Sequence, residues 1–212
     1  MLKYNVLLTG STGGLGTALG SELKKHNFTV YSHSHLNKSD IQTDFTDICN
    51  LHNINSFIQE HDINCIINNA GVYSNKDFTD LTDKEILDIF NINLISPVLI
   101  SRYLYKYLSQ NKKPGLIVNI NSLAGKFPNY NESIYCATKF GLSGFGSSLS
   151  INKQKTNINI IDCYLGALNT KMNIDRGDCG KLIDPIEAAQ AVVQFLLLSR
   201  TGMVSSFEYR RI

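Results

Sequence analysis

Between residues 9 and 16 the chain reads Thr9-Gly10-Ser11-Thr12-Gly13-Gly14-Leu15-Gly16. Few segments restrict a fold as tightly. It follows an apolar run over residues 4–9 and precedes Leu15, Leu19 and Leu23, which recur at i, i+4 and i+8, the spacing of one helix face. A strand that turns into a helix within so few residues needs backbone free of Cβ atoms. Gly10 permits the tight turn, Gly14 lets a pyrophosphate approach the backbone, and Gly16 lets the helix pack closely on a sheet. The helix start then aims unpaired N–H groups and a positive dipole end at the phosphates. Ser11, Thr12 and Leu15 stand between the glycines in the same cradle. With 15 glycines in the chain, this spacing arises by chance on the order of 0.1 times, before the strand-turn-helix context is counted.

The rest of the chain continues the alternation. Strands are expected over residues 28–32, 41–44, 63–68, 115–120, 158–164 and 204–209. Helical spacing is expected at Ile48, Leu51, Ile54 and Ile58, then over residues 87–108 with an interruption at Pro97, and over 133–150 and 185–199. Asp184 before Pro185 is an N-cap and first-turn pair for the last helix. Strand and helix in turn imply parallel βαβ units with right-handed crossovers. The expected fold is α/β: a Rossmann-type doubly wound, mostly parallel seven-stranded sheet with helices on both faces, three layers in all. At 212 residues and 43% hydrophobic content, residues 1–212 form one domain with a sizeable core. In such a sheet the loops after the strand C-termini build the site, which assigns the irregular segments 121–132 and 169–183 to that edge.

Several function classes are disfavoured. A net charge of +2, from 20 Lys+Arg against 18 Asp+Glu, lacks the basic excess of a nucleic-acid binder. No apolar run reaches the length of a membrane span, and residues 1–5 do not resemble a signal peptide. The five cysteines are scattered without a Cys-x-x-Cys pair, and the five histidines form no zinc-like cluster, so neither disulfide nor metal is expected. A reducing, cytoplasmic setting fits this usage. The histidines read mostly as surface or loop residues.

Five further segments stand out. Asn68-Asn69-Ala70-Gly71 closes the fourth strand. Asn93 lies mid-helix in Asn91-Ile92-Asn93-Leu94-Ile95-Ser96, where Asn is a poor helix residue. Ile117-Val118-Asn119-Ile120-Asn121-Ser122-Leu123-Ala124-Gly125 ends the fifth strand, and Tyr135-Cys136-Ala137-Thr138-Lys139 follows thirteen residues after Ser122. Leu165-Gly166-Ala167-Leu168-Asn169-Thr170 follows the sixth strand. The chain has 22 asparagines, so isolated Asn motifs count for little, and a lone Y-x-x-x-K pair arises by chance. The ordered conjunction is what discriminates.

With T-G-x-x-x-G-x-G, N-N-A-G, I-V-N-x-x-S, Y-x-x-x-K and L-G-x-x-x-T in this order over residues 6–208, the chain resembles the short-chain dehydrogenase/reductase family. The resemblance implies an NAD(P)-dependent oxidoreductase that moves a hydride between cofactor and a carbonyl or secondary alcohol. It implies Tyr135 as general acid/base, Ser122 as the group holding the substrate oxygen, and Asn93 as the residue positioning a water; Asn91 competes for that place, and the flanking residues favour Asn93. Lys139 would hold the nicotinamide ribose and, as an ammonium one helical turn away, lower the Tyr135 pKa together with the oxidised ring. Asn69, Ala70 and Gly71 would meet the adenosine side, Asp44 and Phe45 would flank the adenine, and Leu168 and Thr170 would hold the carboxamide, with Tyr135 and Lys139 also touching the cofactor. Asn121 stands where a second Ser is common, and Leu165 where Pro is common.

A carboxylate at the end of the second strand selects NAD, whereas a basic residue accommodates the 2′-phosphate of NADP. Here the resemblance puts Ser34 in the acid's place and His35 in the basic one, so NADP is favoured over NAD; Gly13, where relatives that prefer NADP often carry Arg, speaks against it. The substrate is a small-molecule or carrier-borne carbonyl under a short loop, about 171–183, with Phe127, Pro128, Tyr130 and Met172 as lining candidates. A homodimer or homotetramer is implied, with Leu99, Tyr103, Leu142 and Phe145 as interface or core residues. A non-catalytic NADP-binding regulatory or structural protein is the alternative, since fold does not decide function.

Overall fold

The computed structural model describes residues 4–35, 38–130, 132–151, 156–176, 182–199 and 201–211. Part of the expected substrate loop, 177–181, lies outside them. Seven strands form one sheet: β1 (Asn5–Leu8), β2 (Thr29–Ser34), β3 (Ile41–Gln42), β4 (Cys65–Asn68), β5 (Gly115–Ser122), β6 (Ile158–Leu165) and β7 (Ser206–Tyr209). Their order is β3-β2-β1-β4-β5-β6-β7, and every pairing is parallel. The winding reverses between β1 and β4, which opens a crevice at the C-terminal ends of the strands.

Side chains alternate across each strand, and both faces are covered. Val6 and Leu8 of β1, Cys65 and Ile67 of β4, and Leu116, Val118 and Ile120 of β5 pack under α1 (Gly14–Lys25) and α6 (Pro185–Leu198). Leu7, Ile66, Ile117, Ile158 and Ile160 face the other way, against Ile54 and Ile58 of α2 (His52–Glu60) and Ile100, Leu104 and Leu108 of α4 (Ser96–Gln110). Burial on both sides explains why these strands read as continuous apolar runs. Asp184 caps α6 as its sequence implied, accepting from the Ile186 N–H at 2.7 Å, with Pro185 in the first turn.

The helix expected over 87–108 is built differently. It starts earlier, as α3 (Asp83–Phe90), because Thr82 and Glu85 form a capping box. Its irregularity is a π-helical turn, Asn91–Ile95, and Pro97 sits harmlessly in the first turn of α4. The third strand is only two residues long and the last begins at Ser206. One further reading changes: His33 is buried at the end of β2 rather than at the surface. Of the residues left open between interface and core, Leu142 of α5 (Ser133–Ile151) is 1% exposed and belongs to the core.

The face under α4 and α5 carries a buried polar row. Asn68 Nδ2 donates to Ser101 Oγ at 3.0 Å and to Asn119 Oδ1 at 2.9 Å, and Asn119 Nδ2 donates to Asp162 Oδ1 at 2.9 Å. Gly146 is required opposite, since a Cβ there would strike the Asp162 carboxylate. Burial pushes the Asp162 carboxyl up to about 6. A raised carboxyl binds its proton more tightly in the folded chain, so its contribution is present in acid and is lost as pH rises from about 4 to about 6. Asp162→Asn keeps the acceptor for Asn119 and never ionises. We expect it to raise the unfolding free energy at pH 8 by on the order of 2 kcal/mol and to change little at pH 4, as measured by denaturant titration at both pH values.

Candidate active site

The glycine turn is welded to the end of β4. Gly10 has φ +63°, in the left-handed region that glycine adopts without strain. A Cβ on it would stand 2.8 Å from Ala70 Cα. Thr9 Oγ1 accepts from the backbone N–H groups of Asn69 and Ala70 at 2.9 and 3.0 Å, and Asn69 Nδ2 donates to the carbonyls of Thr9 and Gly10. Ser11 is tied outward, its N–H and hydroxyl both donating to the His33 carbonyl. Thr12, Gly13 and Gly14 are exposed, whereas Leu15 and Gly16 are buried beneath them.

A phosphate-bearing cofactor fits what these residues leave open. The α1 N-cap is Gly13, with no side chain over the first N–H groups and no acid in the first turn. Thr170 descends from the loop after β6 so closely that a Cβ on Gly14 would be 2.8 Å from its Cγ2. The crevice thus has a bare backbone floor at Gly14 and a hydroxyl-bearing side chain above it. The Leu168 carbonyl is engaged by the Thr170 N–H and Asn173 Nδ2, both at 2.9 Å, and the segment pairs with Ile183. Leu165, which stands where Pro is common in the family, continues β6 and pairs with Ser122 and Tyr209.

On the adenosine side, Ser34 is buried and its hydroxyl donates to Ser39 Oγ, whereas His35 is exposed. Asp44 is exposed, and the Thr46 N–H holds its carboxyl below the ordinary range, with the nearby His35 and Lys84 acting in the same direction. Phe45 departs from its expected place. Its ring is 5% exposed and stacked on His33 at 4.3 Å, so it packs into the core under β1 and β2. Sequence reasoning missed His33. Its Nε2 meets the Thr43 carbonyl, its Nδ1 is buried without a partner, and burial lowers its pKa to about 4, which keeps it neutral.

Ser122, Tyr135 and Lys139 come together at the C-terminal edge of β5 and the first turns of α5. The Tyr135 phenol lies near enough to Ser122 for that side chain to act on its ionisation, and Ser122 Oγ accepts from the Ala124 N–H at 3.1 Å. Lys139 is 6% exposed; its Nζ donates to the Ile120 carbonyl at 3.0 Å and lies 5.6 Å from the centroid of the Tyr135 ring. The expected lowering of the Tyr135 pKa by Lys139 is not what the free protein has. Burial pushes the phenol up to about 12, with Ser122 acting against it, and burial lowers Lys139 to about 8. Desolvation outweighs a cation held over the ring face.

Asn93 sits in the π-helical turn, 1% exposed. Its amide clasps the segment after β4, accepting from the Val72 N–H at 2.8 Å and donating to the Val72 carbonyl at 2.9 Å. A second donation runs to Thr138 Oγ1 at 3.4 Å, one residue from Lys139. Asn91 is half-buried and bridges to the Thr46 carbonyl at 3.0 Å instead. Sequence reasoning also missed the segment after Gly71. Tyr73 stands edge-on to the Tyr135 ring at 5.4 Å, and Ser74, Lys76 and Phe78 with Glu132 and Ile134 line a cleft beside Tyr135. A fourth-strand exit next to the glycine turn was the available signal. Of the candidate lining residues, Phe127, Tyr130 and Met172 are all exposed. Among the described residues no cluster can hold a metal, and no helix is long and apolar enough to cross a membrane.

Comparison with known proteins places this geometry. A family model described as short chain dehydrogenase matches residues 4–178. An uncharacterized oxidoreductase of Saccharomyces cerevisiae is 31% identical over 84% of the chain, which spans 64% of that relative's length. Sepiapterin reductase of Chlorobaculum tepidum is 27% identical, covering 94% of this chain and 93% of its own. Among solved structures, a 4-hydroxyisoleucine dehydrogenase complexed with NADH superposes with a TM-score of 0.85 at 21% identity, over 97% of this chain and 96% of that one. A metagenomic short-chain oxidoreductase in complex with NADP reaches 0.83 at 20% identity, over 99% and 97%.

Proposed function

The chain belongs to the short-chain dehydrogenase family, and from that premise we propose that it is an NADP-dependent oxidoreductase that interconverts a carbonyl and a secondary alcohol with Tyr135 as general acid/base. The observation that carries this reading is the meeting of Ser122, Tyr135 and Lys139 beside the bare glycine floor. NADPH, when bound, supplies the hydride. In the reductive direction the Ser122 hydroxyl donates a hydrogen bond to the carbonyl oxygen and fixes its position. The Tyr135 O–H, near Ser122, gives its proton to the same oxygen as the alcohol forms. Lys139, pinned on the Ile120 carbonyl, offers its positive charge to the phenolate left behind. A phenol held near 12 is protonated at neutral pH and so stands ready as the donor, and as a weaker acid than free Tyr it relies on the Lys139 charge to release that proton. Asn93, through Val72 and Thr138, holds the wall next to this group and is the residue to which we assign the water relay.

NADP over NAD is supported by the end of β2. No carboxylate occupies position 34, and Asp40 is bound to the N–H and hydroxyl of Ser32, both at 2.7 Å. His35 is left exposed as the group that meets a 2′-phosphate. The NADP-bound structural neighbour is in line with this, and the NADH-bound one with the alternative. A homodimer or homotetramer acting on a small or carrier-borne carbonyl completes the reading. A panel of ketones, aldehydes, acyl thioesters and keto-sugars, scored by oxidation of NADPH and NADH, tests it. NADPH oxidation should dominate, and a strong NADH preference would overturn the roles given to Ser34 and His35. His35→Glu, at an exposed position, should weaken NADPH binding about tenfold while leaving NADH nearly unchanged, a difference of about 1.4 kcal/mol readable by fluorescence titration. Tight NADPH binding with no substrate turned over would favour the non-catalytic alternative.

A further inference from the structure

We propose that Asn121 is a positioning residue that locks Lys139 and Ser122 into one rigid unit; the role rests on the catalytic reading above and deepens it. Asn121 is 3% exposed at the end of β5. Its Oδ1 accepts from the Ser122 N–H at 2.9 Å, and its Nδ2 donates to the Lys139 carbonyl at 3.3 Å. Lys139 is therefore held at both ends by consecutive residues of one strand, its ammonium on the Ile120 carbonyl and its backbone on the Asn121 amide. The amide's other end fixes the backbone of Ser122, so one side chain spans the two groups that flank Tyr135.

The surroundings are shaped for that clamp. A Cβ on Gly125 would lie 2.8 Å from both Asn121 Oδ1 and the Lys139 carbonyl. The turn Leu123–Gly125 thus closes directly over the bond that joins β5 to α5. An amide carries a donor and an acceptor on separate atoms and serves both neighbours at once. A serine hydroxyl, shorter and with a single oxygen, cannot reach both. The Asn at this place is thus a functional choice of this chain. Its loss would free the backbone of Lys139 and let the ammonium leave its dry seat.

Competitive acetylation of the free protein with acetic anhydride over a range of pH, read by peptide mass spectrometry, gives the titration of each lysine amine without substrate or cofactor. In the parent protein Lys139 should titrate near 8, far below the surface lysines that serve as internal controls. In Asn121→Leu, which fills the site but bonds to neither partner, and in Asn121→Ala, the Lys139 midpoint should rise by about one pH unit as the amine gains water. Asn121→Ser, which keeps one donor, should fall between. A Lys139 midpoint that stays at the parent value while the melting temperature drops would overturn the proposal and leave Asn121 as core packing. Should Leu and Ala both fail to fold, the Ser variant is read by the same criterion. Full activity of a Tyr135→Phe variant would sink the catalytic reading without touching this titration, so the two failures are distinct.

Discussion

Tyr135→Phe is expected to cut turnover by about a thousandfold while NADPH affinity stays within a few-fold of the parent. Proton transfer by a placed side chain contributes on the order of 10²–10⁴ in rate, and the change removes one oxygen and nothing else. The ring keeps its edge-on contact with Tyr73 and its place before Lys139. The Thr138 hydroxyl still donates to the backbone carbonyl of residue 135 at 2.8 Å. Ser122 keeps its bond from the Ala124 N–H, so the oxygen-holding group remains ordered. Steady-state kinetics on any carbonyl turned over by the parent, alongside fluorescence titration with NADPH, checks both halves. Unchanged turnover would end the assignment of Tyr135, and lost NADPH binding would mean the phenol serves the cofactor rather than the proton.

Gly16→Ala is expected to lower stability by about 3 kcal/mol or more and to abolish NADPH binding. The added Cβ would run into the Gly10 carbonyl oxygen, with Gly10 C and Ser11 Cα each 2.9 Å away. All three are backbone atoms of the turn itself, so no flexible side chain can yield, and overpacking of a fixed site costs on the order of 1–3 kcal/mol before any loss of turn geometry. The Asn69 amide bonds to the carbonyls of Thr9 and Gly10 would be displaced with the turn. Gly20 is the control on the same helix. Its nearest neighbour for a Cβ is Leu8 Cδ2 at 3.6 Å, an ordinary contact, and Ala gains up to about 1 kcal/mol of helix propensity over Gly. Thermal melts of the two variants should move in opposite directions; equal shifts would show that the turn tolerates a side chain at position 16.

How far this reading was legible in the sequence differs by element. The strand-helix alternation, the glycine turn and the Asp184–Pro185 start of α6 depend on local spacing, and the structure has them where spacing put them. The capping box of Thr82 and Glu85 is equally local and marks the start of α3, but the apolar spacing that begins at Leu87 put the helix start later. The π-helical turn at Asn91–Ile95 was not legible, because apolar spacing of three to four residues continues through it and Pro97 offered a more obvious break. Nor was the inward turn of Phe45, which depends on a buried histidine twelve residues earlier that a strand-end position does not announce. Asn121 read only as standing where a second Ser is common, since its partner is the carbonyl of Lys139, eighteen residues later on another element.

By itself the sequence determined the architecture and the order of the chemical groups along it. Backbone freedom at glycine, side-chain period and capping are set by neighbours within a few residues. Only the tertiary structure decided how those groups are charged and held. Tyr135 stands near 12 and Lys139 near 8 because burial removes water from both. That burial is the joint work of β5, α5 and the segment after β4, which meet only when the sheet is assembled. The free energy of an ionisable group depends on what surrounds it in space, and spacing along a chain carries no record of that.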